Sequence, residues 1–137
     1  MQEIAAVSVE TAFASLQEVF GFVPSLFRAQ TLLPRAVAAE AAIARTVLSL
    51  ERCLSRSQKV YIMLAVAATY RNTYCVTLHN QMLRSLGAVE SELDQFLSDY
   101  RRRLRRADAA MIDLAVKLAT NPACISASDI ANLRQPR

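Results

Sequence analysis

A chain of 137 residues, 53% of them hydrophobic, is long enough for one core and too short for two comfortable ones. Glycine and proline are scarce, at 2 and 4, alanine and leucine recur, and β-branched runs are few, which argues for an all-α protein. The net charge of +4 is modest and much of it sits in one cluster, Arg101-Arg102-Arg103-Leu104-Arg105-Arg106, so the overall charge implies no general polyanion partner.

The spacing predicts a first helix over Val9 to Phe20, with Ala12, Phe13, Leu16 and Phe20 recurring at helical intervals and Gly21 as its stop. Pro24 suits the first turn of a short helix, Pro24 to Leu32. Another opens at Pro34 and runs to about Leu50, with Glu40 and Arg45 on its wetter side. Ser55 with Gln58 forms a capping-box pattern ahead of an apolar helix, Arg56 to Tyr70. Asn72 suits the N-cap of a helix over Thr73 to Leu86, which Gly87 ends. Glu90 to Leu104 reads as amphipathic, with Leu93, Phe96, Leu97, Tyr100 and Leu104 on one face. Ala107 to Ala119 follows, stopped by Asn121-Pro122, and Ser126 with Asp129 caps a last short helix to Leu133. The whole reads as one domain over residues 1–137. Its apolar excess suggests that some helix faces are covered in a homo-oligomer.

Cys53, Cys75 and Cys124 are too few and too widely spaced for a disulfide framework or a zinc site. Met1-Gln2-Glu3-Ile4 lacks the basic-then-apolar pattern of a leader, and the longest uncharged apolar run, Val60 to Tyr70, is well short of a membrane span. A cytoplasmic protein with reduced thiols, no membrane partner and no nucleic-acid partner is the expectation. The five arginines from Arg101 to Arg106 read as a solvated helix end, since no aromatic residues interleave them in a nucleic-acid motif. Met63, Met82 and Met111 read as core fillers.

The chemistry concentrates in Asn72-Thr73-Tyr74-Cys75-Val76-Thr77-Leu78-His79. Cys75 and the chain's single histidine, His79, stand four residues apart at the start of a helix and therefore share a face. The positive end of the helix dipole and a neighbouring imidazole both favour the thiolate, the reactive form of cysteine. Each residue also has a structural alternative: Cys75 as a small buried hydrophobe, His79 as a core histidine, and Asn72 as a cap alone. One histidine and one cysteine fall short of a metal-ligand set.

These residues, with their flanks, resemble the alkylhydroperoxidase D (AhpD) and carboxymuconolactone decarboxylase superfamily. Its core motif is a Cys-x-x-Cys-x-x-x-His box after an apolar helix that carries a glutamate, and Cys75 and His79 fall on the second cysteine and the histidine. Phe20-Gly21-Phe22-Val23-Pro24-Ser25-Leu26-Phe27-Arg28-Ala29 resembles the entry segment of the peroxidase-related branch. Leu54-Ser55-Arg56-Ser57 resembles the start of its core helix, and Ala110 to Asp129, with Leu114-Ala115-Val116-Lys117-Leu118 and Asn121-Pro122-Ala123, its region after the box. Two departures stand out. Asn72 occupies the place of the first cysteine, and the glutamate position falls near Val60, beside Gln58 and Lys59 but no acid.

The resemblance implies an all-α, AhpD-like oligomeric domain of about six to eight helices, shortened at its C-terminus relative to the family. It further implies a thiol-dependent peroxidase without bound metal, flavin or nicotinamide, using Cys75 as nucleophile and His79 as proton relay. Asn72 and Tyr74 would support the site, hydroperoxide would be the substrate, and an external thiol would be the reductant. Cys53 and Cys124 stand at no spacing that places them near Cys75. The alternative is a degenerate member serving as an oligomeric scaffold or regulatory partner. Decarboxylation or lactone chemistry ranks last, because no second histidine or acid cluster stands at the box.

Overall fold

The computed structural model describes residues 8–134; the leader reading at Met1-Gln2-Glu3-Ile4 and the last three residues lie outside them. The chain divides into two compact units, Met1–Arg56 and Ser57–Arg137. The described residues form eight α-helices and one 3₁₀ turn, with no strand, so the fold is all-α.

In the first unit, α1 (Val9–Phe20) opens where the Ser8 hydroxyl accepts the N–H of Thr11 at 3.2 Å. It closes at Gly21, whose φ of 80° is left-handed and whose N–H reaches Gln17 O at 2.9 Å. α2 (Ser25–Ala29) is shorter than the Pro24-to-Leu32 reading, and Leu32 stands 92% exposed in the turn after it. Pro34 starts α3 (Pro34–Ser49), where its missing N–H costs nothing. Val37, Ala41 and Leu48 of α3 are buried, as are Ala12, Leu16 and Val19 of α1, and the two helices pack together. Phe20 collects Phe22 and Phe27 around it, with ring centroids 6.4 and 6.0 Å away.

In the second unit, α4 (Arg56–Thr69) buries Val60, Leu64, Ala65 and Ala67. α5 (Thr73–Ser85) begins after only three residues and buries Met82 and Leu83. A crevice of about 210 Å³ is lined by Ser57 and Tyr61 from the start of α4 and by Leu83 and Leu86 at the end of α5. The two helices therefore run antiparallel. Gly87, with φ of 96°, ends α5 in a Schellman turn: its N–H bonds Arg84 O at 2.9 Å, and Ala88 N–H bonds Leu83 O at 3.0 Å.

α6 (Glu90–Arg103) departs from the single amphipathic helix that its sequence predicts. Asp99 adopts φ of −160° and ψ of 87°, and its carboxylate accepts the N–H of Arg101 at 3.2 Å. The break turns the last residues back along the helix, so that Arg103 pairs with Glu92, eleven residues earlier. A straight helix would hold those positions about 16 Å apart. Leu93 and Phe96 face the core as expected, but Leu97 is 39% exposed. It lies a third of a turn around from Phe96, whose ring fills the space between Tyr61 and Tyr100 at 4.7 and 5.6 Å.

α7 (Arg106–Thr120), a 3₁₀ turn (Pro122–Cys124) and α8 (Ala127–Leu133) complete the unit. Asp129 accepts both the N–H and the hydroxyl of Ser126 at 2.7 Å, the cap read from the sequence, and pairs with Lys117 of α7 at 2.7 Å. Met82 is a full core residue, whereas Met63 and Met111 are half-buried. No described helix is long and apolar enough to cross a membrane.

Candidate functional site

The break between α4 and α5 is built from three residues. Tyr70 is the last to keep the path of α4, its N–H on Val66 O at 3.1 Å. Arg71 then turns left-handed, with φ of 53°, a conformation usually left to glycine. It completes a second Schellman turn, Arg71 N–H to Ala68 O and Asn72 N–H to Ala67 O, both at 2.9 Å. Asn72 opens α5 as its N-cap, and its side-chain oxygen accepts the N–H of Cys75 at 3.1 Å. Asn72 therefore does structural work on the backbone of the candidate nucleophile itself.

Cys75 stands third in α5, within the positive field of the helix N-terminus, and is half-buried. Tyr74, one residue earlier, is 42% exposed. His79 lies one turn further along, also half-buried. Its Nδ1 is shut away from solvent and makes no hydrogen bond, as is true of Asn80 Oδ1 beside it. Burial pushes the His79 imidazole below its ordinary range, so it is neutral at pH 7 and able to accept a proton. The sequence spacing thus places thiol and imidazole one turn apart, but no hydrogen bond joins them among the described residues. Adjacency on a helix brings side chains to neighbouring positions without aiming them at each other.

The glutamate position of the resemblance is a core position here: Val60 is fully buried. An acid does approach the start of α4, from a helix that the sequence spacing did not connect with it. Asp108 of α7 accepts a hydrogen bond from the Gln58 side chain at 2.8 Å and pairs with Arg105 at 3.1 Å. No local sequence signal relates residues 58 and 108.

Cys53 and Cys124 are exposed. Of the arginine cluster, Arg101 pairs with Asp113 at 2.7 Å, Arg102 with Asp99 at 3.1 Å, Arg103 with Glu92 and Arg105 with Asp108. Its charge is largely engaged with acids of the same unit. Among the described residues no group of three or more His, Cys, Asp or Glu could hold a metal ion. A groove of about 580 Å³ between α1 and α3, lined by Ala12, Ala38, Ala42 and Arg45 among others, and the smaller α4–α5 crevice both lack Cys75 and His79 in their walls.

No family model matches the chain, and no curated protein matches it. Among solved structures, the chain is similar to an uncharacterized peroxidase-related protein from Silicibacter sp. TM1040. The two are 25% identical, with a TM-score of 0.79 over 91% of this chain, which spans 66% of the length of that one. The chain thus shares its all-helical fold with that structure.

Proposed function

We propose that this protein is a thiol-dependent peroxidase that reduces hydroperoxides through Cys75, with His79 as proton relay. The observation that carries the reading is a thiol in the first turn of α5 followed one turn later by a neutral imidazole whose Nδ1 is unpartnered. Likeness to a peroxidase-related structure supports it. In the reaction, His79 takes the Cys75 proton, and the thiolate attacks the nearer peroxide oxygen. The O–O bond breaks as the S–O bond forms, and His79 returns the proton to the departing oxygen. The products are a sulfenic acid on Cys75 and an alcohol or water. A soluble thiol then condenses with the sulfenic acid, releasing water and leaving a mixed disulfide, and a second thiol reduces that disulfide to restore Cys75. Asn72, which stands where the family has its first cysteine, serves this chemistry by fixing the first turn.

The test is peroxide treatment of the reduced protein with a sulfenic-acid trap and peptide mass spectrometry. Trapping at Cys75 that is lost in His79→Ala is the expected result. If Cys75 stays unmodified at peroxide levels that oxidise Cys53 or Cys124, the reading fails. Two observations favour a second reading, a non-catalytic oligomeric scaffold: Cys75 and His79 share no hydrogen bond, and Ile43, Val47 and Leu50 of the first unit are more than half exposed.

A further inference from the structure

Tyr70 is 59% exposed, yet its hydroxyl is anchored: it donates to the carbonyl of Ala119, which lies 49 residues away in the last turn of α7. That carbonyl is among the four that a helix end leaves without an intrahelical partner. The bond therefore satisfies α7 and at the same time ties down the residue from which the chain leaves α4. The two residues after Tyr70 form the strained segment of the unit. Arg71 is left-handed, Asn72 is extended, and the Asn72 side chain holds the N–H of Cys75. A junction that must keep a non-glycine residue at positive φ persists only where its surroundings over-determine it. The Ala119 carbonyl of α7 supplies such a restraint, through Tyr70, from outside the α4–α5 segment.

We propose that Tyr70 is a positioning residue for Cys75: its bond to α7 fixes the α4–α5 junction and, through Asn72, the first turn of α5 that presents the thiol. The inference rests on the reading of Cys75 as the reacting group. Tyr70 itself touches no reacting atom.

The test uses the full chain with Cys53→Ser and Cys124→Ser, which leaves Cys75 as the single thiol. Tyr70→Phe keeps the ring and removes the donor. Tyr100→Phe removes a different anchored hydroxyl of the same unit, one bonded to Asp113 at 2.5 Å, and serves as the comparison. Amide hydrogen exchange by NMR and the rate of Cys75 oxidation by hydrogen peroxide are read together. In Tyr70→Phe the Cys75 and Val76 amides exchange about fivefold faster, the weight of one hydrogen bond, and peroxide oxidation slows by a similar factor. The Cys75 amide resonance moves as well. In Tyr100→Phe these three readouts stay at their starting values, whatever happens to the melting temperature. A Tyr70→Phe protein whose Cys75 resonance and exchange are unchanged would overturn the proposal. So would exchange that rises evenly through the whole unit, the pattern of a merely structural loss. If Cys75 is inert to peroxide in the parent protein, the peroxidase reading fails by itself, and the exchange data still decide whether Tyr70 holds the turn.

Discussion

His79 is kept neutral by burial, with no charged partner to compensate, and this makes its contribution to stability depend on pH with a definite sign. The unfolded imidazole takes up a proton near pH 6.5, while the folded one resists until a lower pH. Between those values the unfolded chain binds more protons, so stability falls as the solution is acidified and recovers above pH 7. His79→Gln removes the titration. Urea unfolding at pH 7.5 and pH 5.5 should therefore show a larger acid loss for the parent than for the variant. Equal losses would mean that His79 is solvated in the folded chain. Asn72 is a second residue with a single dominant role. Asn72→Ala removes the acceptor for the Cys75 N–H and should cost about 1 kcal/mol in chemical denaturation, the usual weight of an N-cap. The cap is legible in sequence because it needs one short polar side chain three positions ahead of an N–H, a purely local condition. The hydrogen bond that Cys75 and His79 lack is not legible in that way, because spacing fixes which face two residues share and not how their side chains turn.

Among the elements, the helix ends were the most legible features and the helix contacts the least. Gly21, Asn72, Gly87 and the Ser126–Asp129 pair each act within one turn of their own position, and each is where the sequence puts it. The break at Asp99, the Gln58–Asp108 bond and the reach of Tyr70 to Ala119 depend on which helices meet, and nothing near them in sequence records that. Gly87 offers a clean measurement of backbone strain, since a methyl group built there meets nothing within 4 Å. Gly87→Ala should therefore cost about 1 to 2 kcal/mol through the left-handed conformation alone. A neutral result in urea unfolding would show that the end of α5 can relax into another turn. At the other end of the unit, Lys117 and the Ser126 cap hold the Asp129 carboxyl at about 2, down from 3.8. That stabilisation is complete above pH 3.8 and is lost as the pH falls towards 2. Amides of α8 should lose their protection from exchange over that acid window in the parent protein. In Asp129→Asn they should be weakly protected at every pH.

For the molecule as a whole, the open question is what covers its apolar surface. Ile43, Val47 and Leu50 of the first unit stand at positions i, i+4 and i+7, so they form one stripe along α3 and its C-terminal end, and they are 64%, 51% and 53% exposed. The inward stripe of the same helix, Val37, Ala41 and Leu48, is buried, which gives α3 two apolar faces, one buried and one more than half exposed among the described residues. A helix apolar on both sides is the pattern of an element that sits inside a larger assembly. Three scattered side chains on a surface would need no explanation; three in register on one helix do. We therefore expect self-association through this stripe, and light scattering should give a particle larger than the 15.1 kDa of one chain. Ile43→Glu with Val47→Glu places two carboxylates in any interface formed there, where they would be desolvated without partners. The pair should reduce the particle to a single chain while the helical circular dichroism stays unchanged, because neither side chain contributes to the buried face of α3. A parent protein that is already monomeric across the accessible concentration range would refute the assembly and remove the main support for the scaffold reading. The peroxidase reading would then rest where its chemistry lies, on the first turn of α5.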